Sequence, residues 1–176
     1  MAETHITKQA LASAMKELMA DAPMEKITIS DIVGRCQMTR QSFYYHFKDK
    51  YDLVNWIYYT EFVSEIQGSL HESGWELLHR TCQFFYDNRR FYQNALAVEG
   101  QNSFSEYFHE VIYPIILVQA RDVFSDDVDC EFFATFFADA ILLSIRKWLL
   151  SGAEIPPEQF VELMKTAVTR ETSEAG

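Results

Sequence analysis

The 176 residues are 48% apolar and 23% charged, the balance of a soluble globular chain long enough for one or two packed cores. Cys36, Cys82 and Cys130 are odd in number and show no CxxC spacing, which excludes a disulfide framework or a zinc ribbon and points to a reducing cytoplasm. The net charge of −11 argues against a nucleic-acid partner until its distribution is read: residues 1–60 hold seven Lys/Arg and seven Asp/Glu, so the whole deficit falls in residues 61–176. A neutral first third leaves DNA open as a partner there, while the acidic remainder repels it elsewhere.

Met1 to His5 has no basic flank and no apolar run, so no signal peptide is expected. The chain reads as all-helical, because only Ile27-Thr28-Ile29 alternates with period two and three residues do not make a sheet. A first helix is expected over about 7–20, where Ala10, Leu11, Ala14, Leu18 and Met19 form one stripe; Asp21-Ala22-Pro23 stops it. Ser30 is the expected N-cap of a short second helix that ends near Cys36. Gln37-Met38 then make a tight turn, and Thr39 caps a third helix carrying Arg40 to Phe47, with Phe43 and Phe47 on its buried side. Asp49 is placed to cap a long fourth helix reaching about Gln67.

Beyond Gly68 the chain turns more acidic and more aromatic, and twelve of the fourteen Phe lie past residue 60, which marks a second core. Helices are expected at about 74–86, 89–98, 103–124, 129–151 and 157–170. The apolar stretch from Phe132 to Leu150 is interrupted by Asp139, Arg146 and Lys147, so it reads as a buried helix and not as a membrane span.

Two short helices joined by a tight turn, the second rich in outward polar side chains, form the helix-turn-helix pattern. A helix entering the major groove needs hydrogen-bonding side chains of modest bulk, and Arg40, Gln41, Ser42, Tyr45 and His46 supply them. Thr28, Thr39, Tyr44, Lys48 and Lys50 are the candidate phosphate anchors. The plainer reading makes Thr39 a cap, the tyrosines packing groups and the lysines solvated charges. Three consecutive aromatics followed by Phe47 cannot all face inward on one short helix, so at least one must be exposed.

The run Ile27-Thr28-Ile29-Ser30-Asp31-Ile32, then Phe43-Tyr44-Tyr45-His46-Phe47, then Lys48-Asp49-Lys50-Tyr51-Asp52-Leu53 resembles the signature of the TetR family of regulators over about residues 6–55. The resemblance implies an all-helical dimer with its helix-turn-helix in the first three helices and a variable ligand-binding domain behind. It also implies that Thr28, Thr39, Tyr44, Tyr45, His46 and Lys50 sit near DNA. Cys36-Gln37 stands where Ala-Gly is common, and Gln41 where a small residue is frequent, which suggests Gln41 as a base reader. Phe84 to Tyr92 and Arg146 to Gly152 are similar to a TetR subgroup that includes activators of dihydroxyacetone kinase operons.

These readings set a helix-turn-helix DNA-binding domain at 1–50 and a helical effector-binding and dimerisation domain at 51–176. The expected helix at 129–151 is apolar on nearly every side and must be covered twice. Phe133, Phe137, Ile141, Ile145 and Trp148 are the candidate dimer face, completed by the last helix; Phe84, Phe85, Phe91, Tyr92, Phe104, Tyr107, Phe108, Phe132 and Phe136 are the candidate lining of an effector pocket, or plain core. His79 and Cys82 lie three apart on an expected helix and could reach one metal ion with His71 or His109, but ligands this scattered do not make a site, and neither a metal nor a cofactor is expected. With no Gly-rich phosphate loop, GxSxG or HExxH, no enzyme is expected. The expected function is a cytoplasmic regulator binding a palindromic double-stranded operator as a homodimer, controlled by a small-molecule effector or partner protein, with no membrane association. The alternative is a helical protein-interaction module that has lost DNA binding.

Overall fold

A computed structural model of the chain describes residues 2–66, 73–100, 102–121 and 127–169. Among these residues all regular structure is helical, as the sequence requires. The chain divides into two compact units: Met1–Glu65 with Arg90–Phe108, and Ile66–Arg89 with His109–Gly176. In the first unit the fourth helix lies on the first, and a later helix is tied to the end of the first.

In the first unit, α1 (Ala2–Asp21) buries Leu11, Ala14, Met15 and Met19 along one face. It ends before Pro23, whose ring disfavours helical backbone in the residue ahead of it. A 3-10 turn (Met24–Lys26) leads to α2 (Ile29–Arg35) and α3 (Arg40–His46), and α1, α2 and α3 pack against one another. Ile32, Phe43, Leu53 and Ile57 close the core with at most 1% exposure, each contributing roughly 1.5–3 kcal/mol by burial.

Helix α4 starts at Lys50, where Asp49 Oδ1 accepts from the Tyr51 and Asp52 amides, both at 2.9 Å. It is α-helical over Lys50–Tyr58, a π-helix over Tyr59–Val63 and α-helical again over Ser64–Ile66. The spacing of its buried residues explains the change. Val54, Tyr58, Phe62 and Ile66 are all buried and fall every four residues. An α-helix would swing the last about 120° away from the first. A π turn holds one extra residue and takes back roughly 100° of that, keeping the four on one side.

Helix α6 (Arg89–Ala97) completes this unit with the start of α7 (Phe104–Ala120). Asn94 on α6 donates from Nδ2 to the carbonyls of Met19 (3.0 Å) and Ala22 (2.7 Å), and its Oδ1 accepts from the Met24 amide at 2.7 Å. One side chain thus satisfies the frayed end of α1 and the start of the following turn.

In the second unit, α5 (Gly74–Asp87) opens with a capping box between Ser73 and Glu76. Helix α9 (Pro157–Thr169) packs on α5, and α5 packs on α8 (Asp127–Leu150). Trp148 is stacked between Tyr86 and Phe160, with ring centroids 6.2 and 4.6 Å away, and its Nε1 donates to the Ile155 carbonyl at 2.8 Å. Helix α8 ends in a left-handed turn: Gly152 has φ 102°, and the Ala153 and Gly152 amides return to the Trp148 and Leu149 carbonyls.

Candidate nucleic-acid interface

Helix α2 is capped two residues earlier than Ser30. Thr28 Oγ1 accepts from the Asp31 amide at 3.2 Å, while the Thr28 amide and hydroxyl donate to Asp31 Oδ2 at 2.8 and 2.6 Å. Ser30 has no such reciprocal partner, since the residue three beyond it is Val33. The Thr28 hydroxyl and amide hold the Asp31 carboxyl below its ordinary range. The turn after α2 closes through a bond from the Met38 amide to the Val33 carbonyl at 2.8 Å, and Gln37 takes the left-handed conformation at φ 56°. Thr39 then caps α3 by accepting from the Ser42 amide at 3.1 Å.

Those caps fix the rotation of α3. Phe43 and Phe47 point inward and are buried; Arg40, Gln41, Tyr44 and Tyr45 point outward, with Tyr45 81% exposed. Ser42 and His46 are half-buried at the edge of that face, and Tyr45 meets His46 edge-on with centroids 4.9 Å apart. Arg40 is held in place: its guanidinium donates to Ser30 Oγ (3.0 Å) and the Tyr44 hydroxyl (3.4 Å) and lies over the Tyr44 ring. The sequence pattern did not single out Ser30 for this role, because a serine seen alone reads as a cap. The outward face therefore presents one oriented guanidinium, one amide and two phenols, enough to donate to and accept from base edges and phosphates.

Lys48 is exposed at the helix end. Lys50 is placed otherwise than the sequence suggests. Its ammonium donates to the Met24, Glu25 and Ile27 carbonyls at 2.7, 3.1 and 2.9 Å, using all three donors within the protein. Burial pulls its pKa below the ordinary lysine value, and Glu25 partly offsets this. Thr28 likewise spends its hydroxyl on Asp31. Lys8, absent from the sequence-based set, lies over the Phe47 and Trp56 rings at 5.2 and 5.6 Å.

The residues assigned to an effector pocket fall in both units. Tyr92, Phe104 and Phe108 are fully buried with Phe91 in the first unit, where Tyr58 makes edge-on contacts with Tyr92, Phe104, Tyr107 and Phe108. This is packed aromatic core. In the second unit Phe85 is buried and Phe84 half-buried, whereas Phe132 and Phe136 are 73% and 57% exposed. Along α8, Ile145 and Trp148 of the expected dimer face are buried inside their own unit and Phe133, Phe137 and Ile141 are half-buried, while Phe132 and Phe136 of the expected pocket lining face outward. An open groove of about 490 Å³ lies in this unit between the end of α8 and the start of α9, lined by Lys147, Trp148, Glu154 and Phe160 among others. None of the nine pocket candidates lines it. Among the described residues no three His, Cys, Asp or Glu side chains are grouped to hold a metal ion. Burial pushes the Cys82 thiol up to about 12, and His71 lies outside the described residues.

Comparison with known proteins matches this arrangement along most of the chain. Residues 10–57 match the family model for bacterial regulatory proteins of the tetR family, and residues 75–170 match the model for a transcriptional regulator C-terminal region. The HTH-type dhaKLM operon transcriptional activator DhaS of Lactococcus lactis subsp. lactis (strain IL1403) is 27% identical over 160 residues, covering 86% of this chain and 84% of its own. The solved structure of the dihydroxyacetone kinase operon activator DhaS shares the fold with a TM-score of 0.66 at 22% identity, covering 94% of this chain and 96% of that one. A TetR transcriptional regulator from Streptococcus agalactiae 2603V superimposes with a TM-score of 0.72 at 19% identity, over 96% and 97% of the two chains. No helix among the described residues is long and apolar enough to cross a membrane. With a helix-turn-helix at its start and the family's C-terminal region behind it, the chain belongs to the TetR family of transcriptional regulators.

Proposed function

We propose that this protein binds a palindromic operator as a homodimer, lays α3 in the major groove, and is controlled through the residues beyond 50 by an effector or a partner protein. The observation that carries the reading is the outward face of α3: Arg40, Gln41, Tyr44 and Tyr45 stand clear of a helix whose opposite side is locked down by Phe43 and Phe47. Arg40 and Gln41, with Ser42 and His46 at the edge, are the base-reading group; Thr39, Tyr44, Tyr45 and Lys48 anchor phosphates. Lys50 ties down the turn ahead of α2 and Thr28 caps α2, so both act on the first helix of the pair. A dimer presents two such helices to half-sites about one DNA turn apart.

The second copy packs on the exposed stripe of α8, Phe132, Phe136, Leu143 and Leu150, together with Leu163 and Val168 of α9, all exposed in the single chain. Phe132 and Leu150 are eighteen residues apart, five full turns, so the stripe runs straight along the helix. The working place of such a protein is the cytoplasm, where its operator lies.

The test is footprinting on DNA flanking its own gene at two salt concentrations. A protected, two-fold symmetric site whose affinity falls steeply with salt supports the reading. Failure to protect any site, with the protein folded and dimeric, sinks it in favour of a protein-interaction module.

A further inference from the structure

The outward stripe of α8 is not purely apolar, and its polar positions are ordered. Phe132, Phe136, Asp139, Leu143, Arg146 and Leu150 follow one another at spacings of four, three, four, three and four, the seam of a helix packed along its length against another. Asp139 is 61% exposed, one turn from Phe136 and one turn from Leu143. A second copy that covers those two residues also covers its carboxylate. One oxygen of that carboxylate, Oδ1, lies 3.3 Å from His109 Nε2 on α7 of the same unit. Arg146 is half-buried and Lys147 exposed, so a cationic pair stands one heptad further along the same side.

We infer that two copies of α8 meet antiparallel about Leu143, with Asp139 of each copy paired to Arg146 and Lys147 of the other. The inference rests on the dimer proposed above and specifies its register. A two-fold contact is reciprocal, so whatever Asp139 touches on the second copy touches Asp139 in return. Parallel, in-register helices set Asp139 against Asp139 and Arg146 against Arg146, like charges in a seam that excludes water. Antiparallel helices centred on Leu143 oppose each carboxylate to the cations, Leu143 to its own copy, and Phe136 to Leu150. Every exposed member of the seam from 136 to 150 then meets a partner of matching chemistry. A charged residue in an apolar seam costs stability and in exchange selects one register over its neighbours.

Charge exchange tests this on the full chain by sedimentation equilibrium. Asp139→Arg alone and Arg146→Asp with Lys147→Asp alone each turn both contacts repulsive, and each should raise the dimer dissociation constant about tenfold or more. Mixed in equal amounts, the two proteins should form heterodimers nearly as tight as the native dimer, since both contacts are attractive again. Should the half-buried Arg146 not tolerate exchange, Asp139→Arg against Lys147→Asp tests the same contact at two exposed positions, with a smaller effect because Arg146 stays cationic in both. Variants that dimerise alone as well as the native protein would point to a parallel seam and overturn the inference, as would a mixture that fails to associate; a native protein dimeric throughout leaves the dimer itself standing in either case. A native protein that is monomeric at micromolar concentration would remove the dimer and the register together.

Discussion

Two polar side chains close in sequence do different work in this molecule according to what lies beside them. Gln41 is exposed on the outward face of α3, and its amide matches the donor–acceptor edge of adenine. Lys50, nine residues on, has given its three donors to backbone carbonyls. Gln41→Ala is expected to change sequence preference at one operator position by about 1–3 kcal/mol, with folding unaffected. Binding titrations against single-base operator variants measure this, and unchanged discrimination at every position would remove the base-reading role. Lys50→Ala is expected instead to lower unfolding stability by about 1–3 kcal/mol through the acceptors it strands, seen as a shift in the urea midpoint. The two capping carboxylates carry a pH prediction. Asp31 and Glu76 are both held below their ordinary values of 3.8 and 4.5, chiefly by the hydroxyls of Thr28 and Ser73. A depressed carboxyl contributes stability above its unfolded pKa and loses it as pH falls through the folded one. The first turns of α2 and α5 should therefore loosen below about pH 4, visible as faster amide exchange at Asp31 and Glu76 than at Ser42. Thr28 was legible as a residue of interest, but the sequence alone did not distinguish its capping role from a phosphate contact, because both use the same hydroxyl.

At the scale of elements, local signals were the reliable ones. Asp49, Thr39 and the stop at Pro23 act within three residues of where they sit, so the starts of α3 and α4 and the end of α1 followed from the chain alone. The π turn did not, although Val54, Tyr58, Phe62 and Ile66 at intervals of four encode it; an interval of four is read by habit as α-helix. The helix-turn-helix bend carries a testable strain. Gln37 holds φ 56°, where a Cβ crowds the following carbonyl, and glycine does not. Gln37→Gly is expected to stabilise the protein by about 0.5–1 kcal/mol, after the extra freedom of glycine in the unfolded chain is subtracted. A thermal midpoint that falls would show that the Gln37 side chain compensates for its backbone.

On the whole-molecule scale, the question was which side of α8 faces its own unit. Phe136 and Phe137 are neighbours in sequence and separate the two answers. Phe136→Glu is expected to leave a folded, helical monomer, since its ring is mostly in solvent in the single chain. Phe137→Glu places a charge against the half-buried ring of Phe133, centroids 4.3 Å apart, and is expected to yield unstable or insoluble protein. Light scattering with far-ultraviolet circular dichroism decides both, and a Phe136→Glu protein that stays dimeric would move the interface elsewhere. The chain by itself determined that this protein is all-helical, that its first fifty residues hold a helix-turn-helix, and that α8 carries two apolar stripes; composition, caps and periodicity are local properties and survive without tertiary information. Only the tertiary structure decided which stripe turns inward. A helix apolar on both sides is satisfied by either rotation until its neighbours choose, and here Trp148, stacked between Tyr86 and Phe160 and bonded to the Ile155 carbonyl, turns Ile145 and Leu149 into the core and leaves Phe132, Phe136 and Leu143 outside.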